Sequence, residues 1–177
     1  RGQRQVCISD RLELASNSPM EVVIIRPPLV YGAGVKANFL NLMKLIRKRV
    51  PLPFGAINNA RSMVSLKNLT SLIIECIEHP AAAHRIFLVS DGVDLSTSEL
   101  VKILTKHIGS GNIIIPISPL LLRFIARMFN RERFADRLLG SLQVDISDTC
   151  EVLGWRPVQT VEEGIIETVC YFKESKQ

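Results

Sequence analysis

Short apolar runs and longer stretches of helical periodicity alternate along this 177-residue chain. Val22, Val23, Ile24 and Ile25 form a β-branched run without polar alternation, the pattern of a parallel strand buried on both faces. Pro27 and Pro28 cannot donate to a sheet ladder, so this interior strand is expected to end near Arg26 and leave extended across the sheet edge. Apolar positions from Asn38 to Lys48 recur at helical spacing, and a helix is predicted there that stops before Pro51. Residues 51–55 read as a rigid loop, 62–66 as a short strand, 67–78 as a second helix stopped by Pro80, and 85–90 as another buried strand.

The same rhythm continues to the C-terminus. Ser96 or Thr97 caps a helix running to about His107, with Glu99 in its first turn. Residues 112–116 supply a short apolar strand. After Pro119, Leu120, Leu121, Phe124, Ile125 and Met128 make one helical stripe, with Arg123 and Arg127 four apart on another face; packing of that stripe into a core is favoured over a membrane surface. Gly154 fits a helix C-terminus with Trp155 as an anchor behind it. Thr160 to Glu163 opens a final helix with a capping box. The first seventeen residues turn helical only toward their end, around Leu12, Leu14 and Ala15. Strands alternating with helices predict an α/β fold with a parallel sheet, whose ligands sit at the C-terminal edge of the strands.

Gly32 to Ala37 spells G-x-G-x-x-A, the spacing of a dinucleotide-binding loop. An ordinary glycine-rich turn is favoured. Residues 27–31 separate the glycines from the strand, and no Asp or Glu stands between Glu21 and Glu75 to hold a ribose. That acid-free interval holds Arg26, Lys36, Lys44, Arg47, Lys48, Arg49, Arg61 and Lys67, within a net charge of +5, and favours an anionic ligand. For Lys44 to Arg49, a solvated helix end complementing the dipole is the preferred reading. Few aromatics and no recognised module argue against nucleic acid. No apolar run reaches about 18 residues without a charge, so no membrane span is expected, and a cytoplasmic protein is. Cys7, Cys76, Cys150 and Cys170 stand singly, without a C-x-x-C pair or neighbouring His. Reduced thiols and no metal site are the expectation.

Six motifs, RPPLVYGAG, PLPFG, RSMVSLKNL, FLVSDG, SLQVD and LGWRPVQTVEEGI, stand in this order from Glu21 onward. In that order they resemble the C-terminal half of the extended short-chain dehydrogenases, in particular the NAD-dependent nucleotide-sugar epimerases, dehydratases and 4-reductases. The resemblance implies a Rossmann-like α/β fold carried into a substrate-binding subdomain. Residues 1–35 would be the end of the dinucleotide-binding domain, with a remnant of the catalytic helix and a strand. Residues 36–177 would be mostly the substrate-binding region, with interleaved strands returning to the sheet. By the same resemblance Pro27, Pro28 and Leu29 would lie beside the nicotinamide of NAD or NADP, and Asn38 would open the helix facing a nucleotide-diphosphate sugar. Leu52, Pro53 and Phe54 would border the base, with Arg61 and Arg137 on the diphosphate. A guanidinium fork suits phosphate oxygens, and it stays charged at any working pH. The plainer reading of Arg61 is a surface arginine at a turn, and both stay open.

The family's Tyr-x-x-x-Lys pair and glycine-rich cofactor loop are not found here. Tyr31 and Tyr171 are the only tyrosines, followed four residues on by Val35 and Ser175. No catalytic residue is therefore assigned. NAD(P) is expected in the complete enzyme and not on the isolated chain, and a homodimer is admitted. Lys67 replaces an aspartate usual in the family, which leaves the local pairing of its helix open. A second class of reading also stands, a non-catalytic module derived from this fold that binds anions or a protein partner.

Overall fold

A computed structural model describes residues 19–128, 136 and 138–175. Four short strands and six helices, with a single 3-10 turn at Pro80–Ala82, are named in order among these residues. They are β1 (Ile24–Arg26), β2 (Leu29–Tyr31), α1 (Ala37–Arg47), β3 (Met63–Ser65), α2 (Leu66–Glu78), β4 (Ile86–Leu88), α3 (Thr97–Ile108), α4 (Pro119–Met128), α5 (Ser147–Leu153) and α6 (Val161–Glu174). β1 pairs in parallel with β4, Ile25 opposite Phe87, and β2 in parallel with β3, Val30 opposite Val64. The fold is α/β, as the alternation predicts, and Rossmann-like, as the resemblance implies.

The double proline divides the chain into these two sheets. β1 ends at Arg26, as expected, because neither Pro27 nor Pro28 can extend the ladder. Two residues later the chain forms a second strand, which the apolar pattern did not predict. β1 itself was expected in the sheet interior. Among the described residues β4 is its one neighbour, and Val22 to Ile25 are only half-buried.

The β2/β3 ribbon stands between two apolar clusters. Successive side chains of a strand point to opposite faces, so Tyr31 and Met63 join Phe39, Met43, Ile46, Val101, Leu104, Ile165 and Phe172, drawn from α1, α3 and α6. Val64 faces the other way, to Leu72, Cys76, Phe87, Val89, Leu153 and Trp155. Trp155 is the anchor predicted behind Gly154, which caps α5 at φ 62°, and its Nε1 donates to Ser71 Oγ at 3.1 Å.

A buried polar network ties the two layers together. Asp91 accepts from Tyr31 Oη (2.6 Å), from the Ser65 backbone N–H (2.8 Å) and from Asn68 Nδ2 (2.6 Å). Asn68 also donates to Gln159 O and accepts from the Val158 and Gln159 N–H groups. Burial first, then the Asp91 carboxylate, pushes the Tyr31 hydroxyl far above its ordinary value. Helix α6 lies so close to this network that a Cβ on Gly164 would stand 2.8 Å from Tyr31 Oη and 3.2 Å from Ser65 Cβ.

Three expectations are corrected by the structure. Residues 112–116 form no strand, and Ile114 makes a single bridge with Leu52; Pro51 and Pro53 flank Leu52 and lack the N–H that a longer ladder needs. The stripe of α4 does not enter the core, since no residue of that helix is buried and only Leu122 is packed against the larger cluster. The spacing argument against the glycine-rich loop fails, because β2 directly precedes Gly32. That turn is filled by protein instead: at φ 150°, a Cβ on Gly32 would lie 2.8 Å from Leu66 Cβ.

The capping box predicted at Thr160 and Glu163 is present, and Ser96, one of the two caps expected for α3, forms a second box with Glu99. The cap N–H and then the cap hydroxyl hold each glutamate below its ordinary value, and Lys67 adds its attraction to Glu163. Lys67 thus has a carboxylate on α6 within its field. A depressed folded value means stabilisation that is present above the ordinary carboxylate range and lost as pH falls through the folded value. The double variant Glu99→Gln/Glu163→Gln should therefore lose less stability between pH 7 and pH 3 than the parent, read from urea midpoints at each pH.

Gly164→Ala sets a helix-propensity gain of about 1 kcal/mol against overpacking of about 1–3 kcal/mol. The hydroxyl it meets is fixed by Asp91, so the overpacking should prevail and the melting temperature fall. In a Tyr31→Phe background the same substitution should cost less, and equal costs in both backgrounds would show that the hydroxyl is not the obstacle.

Candidate functional site

The segment that carries Arg61 is held from both sides. Its backbone exchanges hydrogen bonds with Leu95 (3.0 and 3.1 Å), while Leu142 donates to Ala60 O (2.9 Å) and accepts from Ser62 N (2.8 Å). Asn59 is the buried clasp behind it. Its Nδ2 donates to Leu138 O and Gly140 O, and its Oδ1 accepts from Thr97 N at 2.8 Å. Thr97 Oγ1 donates to the same Leu138 carbonyl. These bonds join the start of α3 and residues 138–142 to the segment, so Arg61 leaves a backbone that is fixed on three sides.

Arg61 opens into a cleft of about 360 Å³. Helix α1 forms one wall through Asn38, Asn41, Leu42 and Leu45; Leu29 and Met63 come from the ribbon, Phe54 from the proline loop, and Ser96, Thr97 and Leu100 from the start of α3. Arg61 is the one charged side chain among the described lining residues. A cleft of this kind, apolar with a few polar groups and one fixed cation, suits a flat or apolar moiety joined to an anion.

Four of the sequence-predicted residues therefore meet in one cavity, namely Leu29, Asn38, Phe54 and Arg61. Pro27 is exposed and Pro28 half-buried, and they stand just before Leu29, outside the lining. Leu52 is fully buried; its N–H and carbonyl bond to Ile113 and Ile115, so it anchors the loop from beneath and Phe54 reaches the cleft. Pro53 is half-buried beside it. Arg137 lies outside the described residues. Asn41 was missed, although it stands one turn after Asn38 on the same helix face, a spacing that could have found it. Ser96 and Thr97 were read only as helix caps. A second groove of about 680 Å³, near Asp91, Cys150, Arg156 and Gln159, holds none of the predicted residues.

Tyr31 cannot act as a general acid or base near neutral pH, because its hydroxyl is buried on Asp91 and shifted upward. Tyr171 is half exposed on α6. Among the described residues no group of three metal-ligating side chains occurs, and no helix is long and apolar enough to cross a membrane.

Asn59→Ala removes the clasp and leaves the Gly140 carbonyl and the Thr97 N–H without their partner, while the Leu138 carbonyl keeps only Thr97 Oγ1. A loss of about 1–3 kcal/mol is expected, the range for an unsatisfied buried group. Chemical denaturation measures it, and a change under about 0.5 kcal/mol, ordinary for a surface substitution, would show that water replaces the clasp without cost.

No family model matches the chain. A Vibrio cholerae protein named UDP-glucose 4-epimerase is 50% identical over 163 residues, which is 92% of this chain and 50% of that protein. An Escherichia coli O157:H7 protein named N-acetyl-alpha-D-glucosaminyl-diphospho-ditrans,octacis-undecaprenol 4-epimerase is 29% identical over 61% of this chain and 34% of its own length. Among solved structures, a UDP-glucuronic acid 4-epimerase from Bacillus cereus in complex with NAD superposes with a TM-score of 0.71 at 14% identity, over 96% of this chain and 50% of that one. The chain thus spans about half the length of the V. cholerae relative, and less of the E. coli one. With its motif order, its parallel-stranded fold and this identity, the chain belongs to the nucleotide-sugar epimerases and dehydratases of the extended short-chain dehydrogenase family and corresponds to the C-terminal half of such a protein.

Proposed function

We propose that this chain supplies the substrate-binding half of an NAD(P)-dependent nucleotide-sugar epimerase, dehydratase or 4-reductase, and that the cleft beside Arg61 receives the sugar nucleotide. The observation that carries this reading is the convergence of Leu29, Asn38, Phe54 and Arg61, from separate elements, on one cavity in which Arg61 is the one cation among the described lining residues. Arg61 takes the diphosphate through its planar fork. Phe54 borders the base, and Asn38 and Asn41 offer amide donors and acceptors to sugar hydroxyls. Arg137 is proposed as a second diphosphate ligand, and the loop residues Leu52 and Pro53 as the support that presents Phe54. Residues 36–177 then make up most of the substrate-binding region, and residues 1–35 the end of the cofactor domain.

Pro27 and Pro28 run into Leu29, which lines the cleft. A nicotinamide resting on the backbone of residues 27–29 would thus be a neighbour of the bound sugar, as hydride transfer requires. NAD(P) supplies that hydride chemistry when bound. The general acid/base is proposed to come from the half that this chain does not span, since the Tyr31 hydroxyl is committed to Asp91. A polyprenol-linked sugar, the kind of substrate in the E. coli relative's name, would bring the same diphosphate to Arg61.

Calorimetric titration of UDP and of uridine into the chain tests the site. Arg61→Ala should weaken UDP by about ten- to hundredfold, which is the 1.5–3 kcal/mol of a hydrogen bond to a charged group. Arg61→Lys should recover only part of that, because an ammonium lacks the bidentate fork. Uridine should change little in either variant. Equal losses for uridine and UDP would mean that Arg61 merely holds its loop, and failure of the parent chain to bind UDP would refute the site.

A further inference from the structure

Behind the cleft, the Arg61 segment carries a second polar clasp. Arg61 forms an antiparallel bridge with Leu95 and a parallel one with Leu142, so its segment is the middle of three short extended pieces, 94–96, 60–62 and 141–144. In this register Ser62 stands between Asp94 and Gln143, and side chains one position apart point to opposite faces. Arg61 and Leu95 accordingly line the cleft, while Ser62, Asp94 and Gln143 do not. On the reverse face the Asp94 carboxylate accepts from Ser62 Oγ at 2.5 Å and from Gln143 Nε2 at 2.7 Å. The buried Ser62 Oγ accepts in turn from the Val144 N–H at 2.8 Å.

The backbone alone does little to keep these pieces together. Each outer piece meets the middle one through two backbone hydrogen bonds, and a ribbon that small is marginal in water. Asp94 ties one outer piece directly to the other, across the middle one. We propose that Asp94 is a positioning residue of the cleft, whose carboxylate acts through Ser62 and Gln143 to hold Arg61 where its guanidinium meets a diphosphate. This deepens the reading of the cleft as a sugar-nucleotide site and rests on it. The sign of the charge makes the role separable. A carboxylate close to a phosphate site repels the ligand, so as a charge alone Asp94 weakens UDP binding and its removal tightens it. Its contribution through the clasp has the opposite sign.

Calorimetry with UDP and uridine, joined to amide hydrogen exchange of the free 177-residue chain, tests the proposal. Asp94→Ala should weaken UDP by about tenfold, the size of one lost hydrogen bond to a charged group, and uridine by less than about twofold. Asp94→Asn should bind UDP at least as well as the parent, because its oxygen still accepts from Ser62 Oγ and Gln143 can turn its amide to accept from the introduced NH2. In an Arg61→Ala background Asp94→Ala should cost UDP nothing further, since it acts through that arginine. Without ligand, Asp94→Ala should speed exchange of the Arg61, Ser62, Leu95 and Leu142 amides by at least about tenfold relative to those of the β2/β3 ribbon. Gln143→Ala alters an exposed side chain and breaks one bond of the clasp; it should move both readouts the same way, and it carries the test if Asp94→Ala does not fold. Tighter or unchanged UDP binding by Asp94→Ala, equal losses for uridine and UDP, additive losses with Arg61→Ala, or unchanged exchange at the four amides would each overturn the proposal. A parent chain that does not bind UDP would refute the substrate reading instead, and exchange at the four amides then decides whether Asp94 fixes the Arg61 segment.

Discussion

The carboxylate of Asp91 is the constraint on which both layers of this fold rely. Burying it carries a desolvation cost of several kcal/mol, which only well-placed donors offset. Three are supplied from different elements: the hydroxyl of Tyr31 at the end of β2, the N–H of Ser65 at the end of β3, and the amide of Asn68 in α2. Asn68 in turn holds the backbone at Val158 and Gln159 that leads into α6. One side chain thereby sets the spacing of two strands and two helices. An asparagine at position 91 could keep the pattern, accepting through oxygen and donating to Tyr31 through nitrogen, whereas an alanine would strand the Ser65 N–H and leave Tyr31 and Asn68 only their second acceptors, the carbonyls of Val161 and Gln159.

Two glycines show how close the surrounding layers come. Gly32 lets the turn after β2 lie against Leu66 at the start of α2, and Gly164 lets α6 lie against Tyr31 and Ser65. A further contact, Arg47 of α1 over the ring of Phe172 in α6 at 5.3 Å, joins the wall of the cleft to the helix that packs on the network. The wall that α1 forms is thus tied to α6, a helix that does not itself line the cleft.

Local chemistry made much of this legible in the sequence. The end of β1 follows from the missing N–H groups of Pro27 and Pro28, the start of α3 from a Ser96 or Thr97 cap, the capping box of α6 from Thr160 and Glu163, and the end of α5 from Gly154. Four of the cleft residues were reachable because their motifs resemble a known family, not because their spacing reveals a site. What escaped depended on distant partners. β2 is a strand because β3 lies beside it; Leu29 to Tyr31 are too few to signal this alone. The Tyr31–Asp91 bond spans 60 residues, and no periodicity reports it. Leu52 was placed with the ligand because its neighbours were, yet bonding to Ile113 and Ile115 turns it inward. For α4 the apolar period was read correctly, but a period says nothing of what lies opposite it.

The alternation of β3 between two clusters bears on how this molecule opens. Met63, Val64 and Ser65 are all buried, Met63 beneath α1 and α6, Val64 beneath α2 and Trp155. If the layer over either face loosens, the other still shields the ribbon. Excursions that free one group of helices thus leave the β2/β3 ladder intact, and its amide hydrogens exchange with solvent only when both clusters come apart together. The slowest-exchanging amides of the chain should then mark this three-residue strand, short as it is.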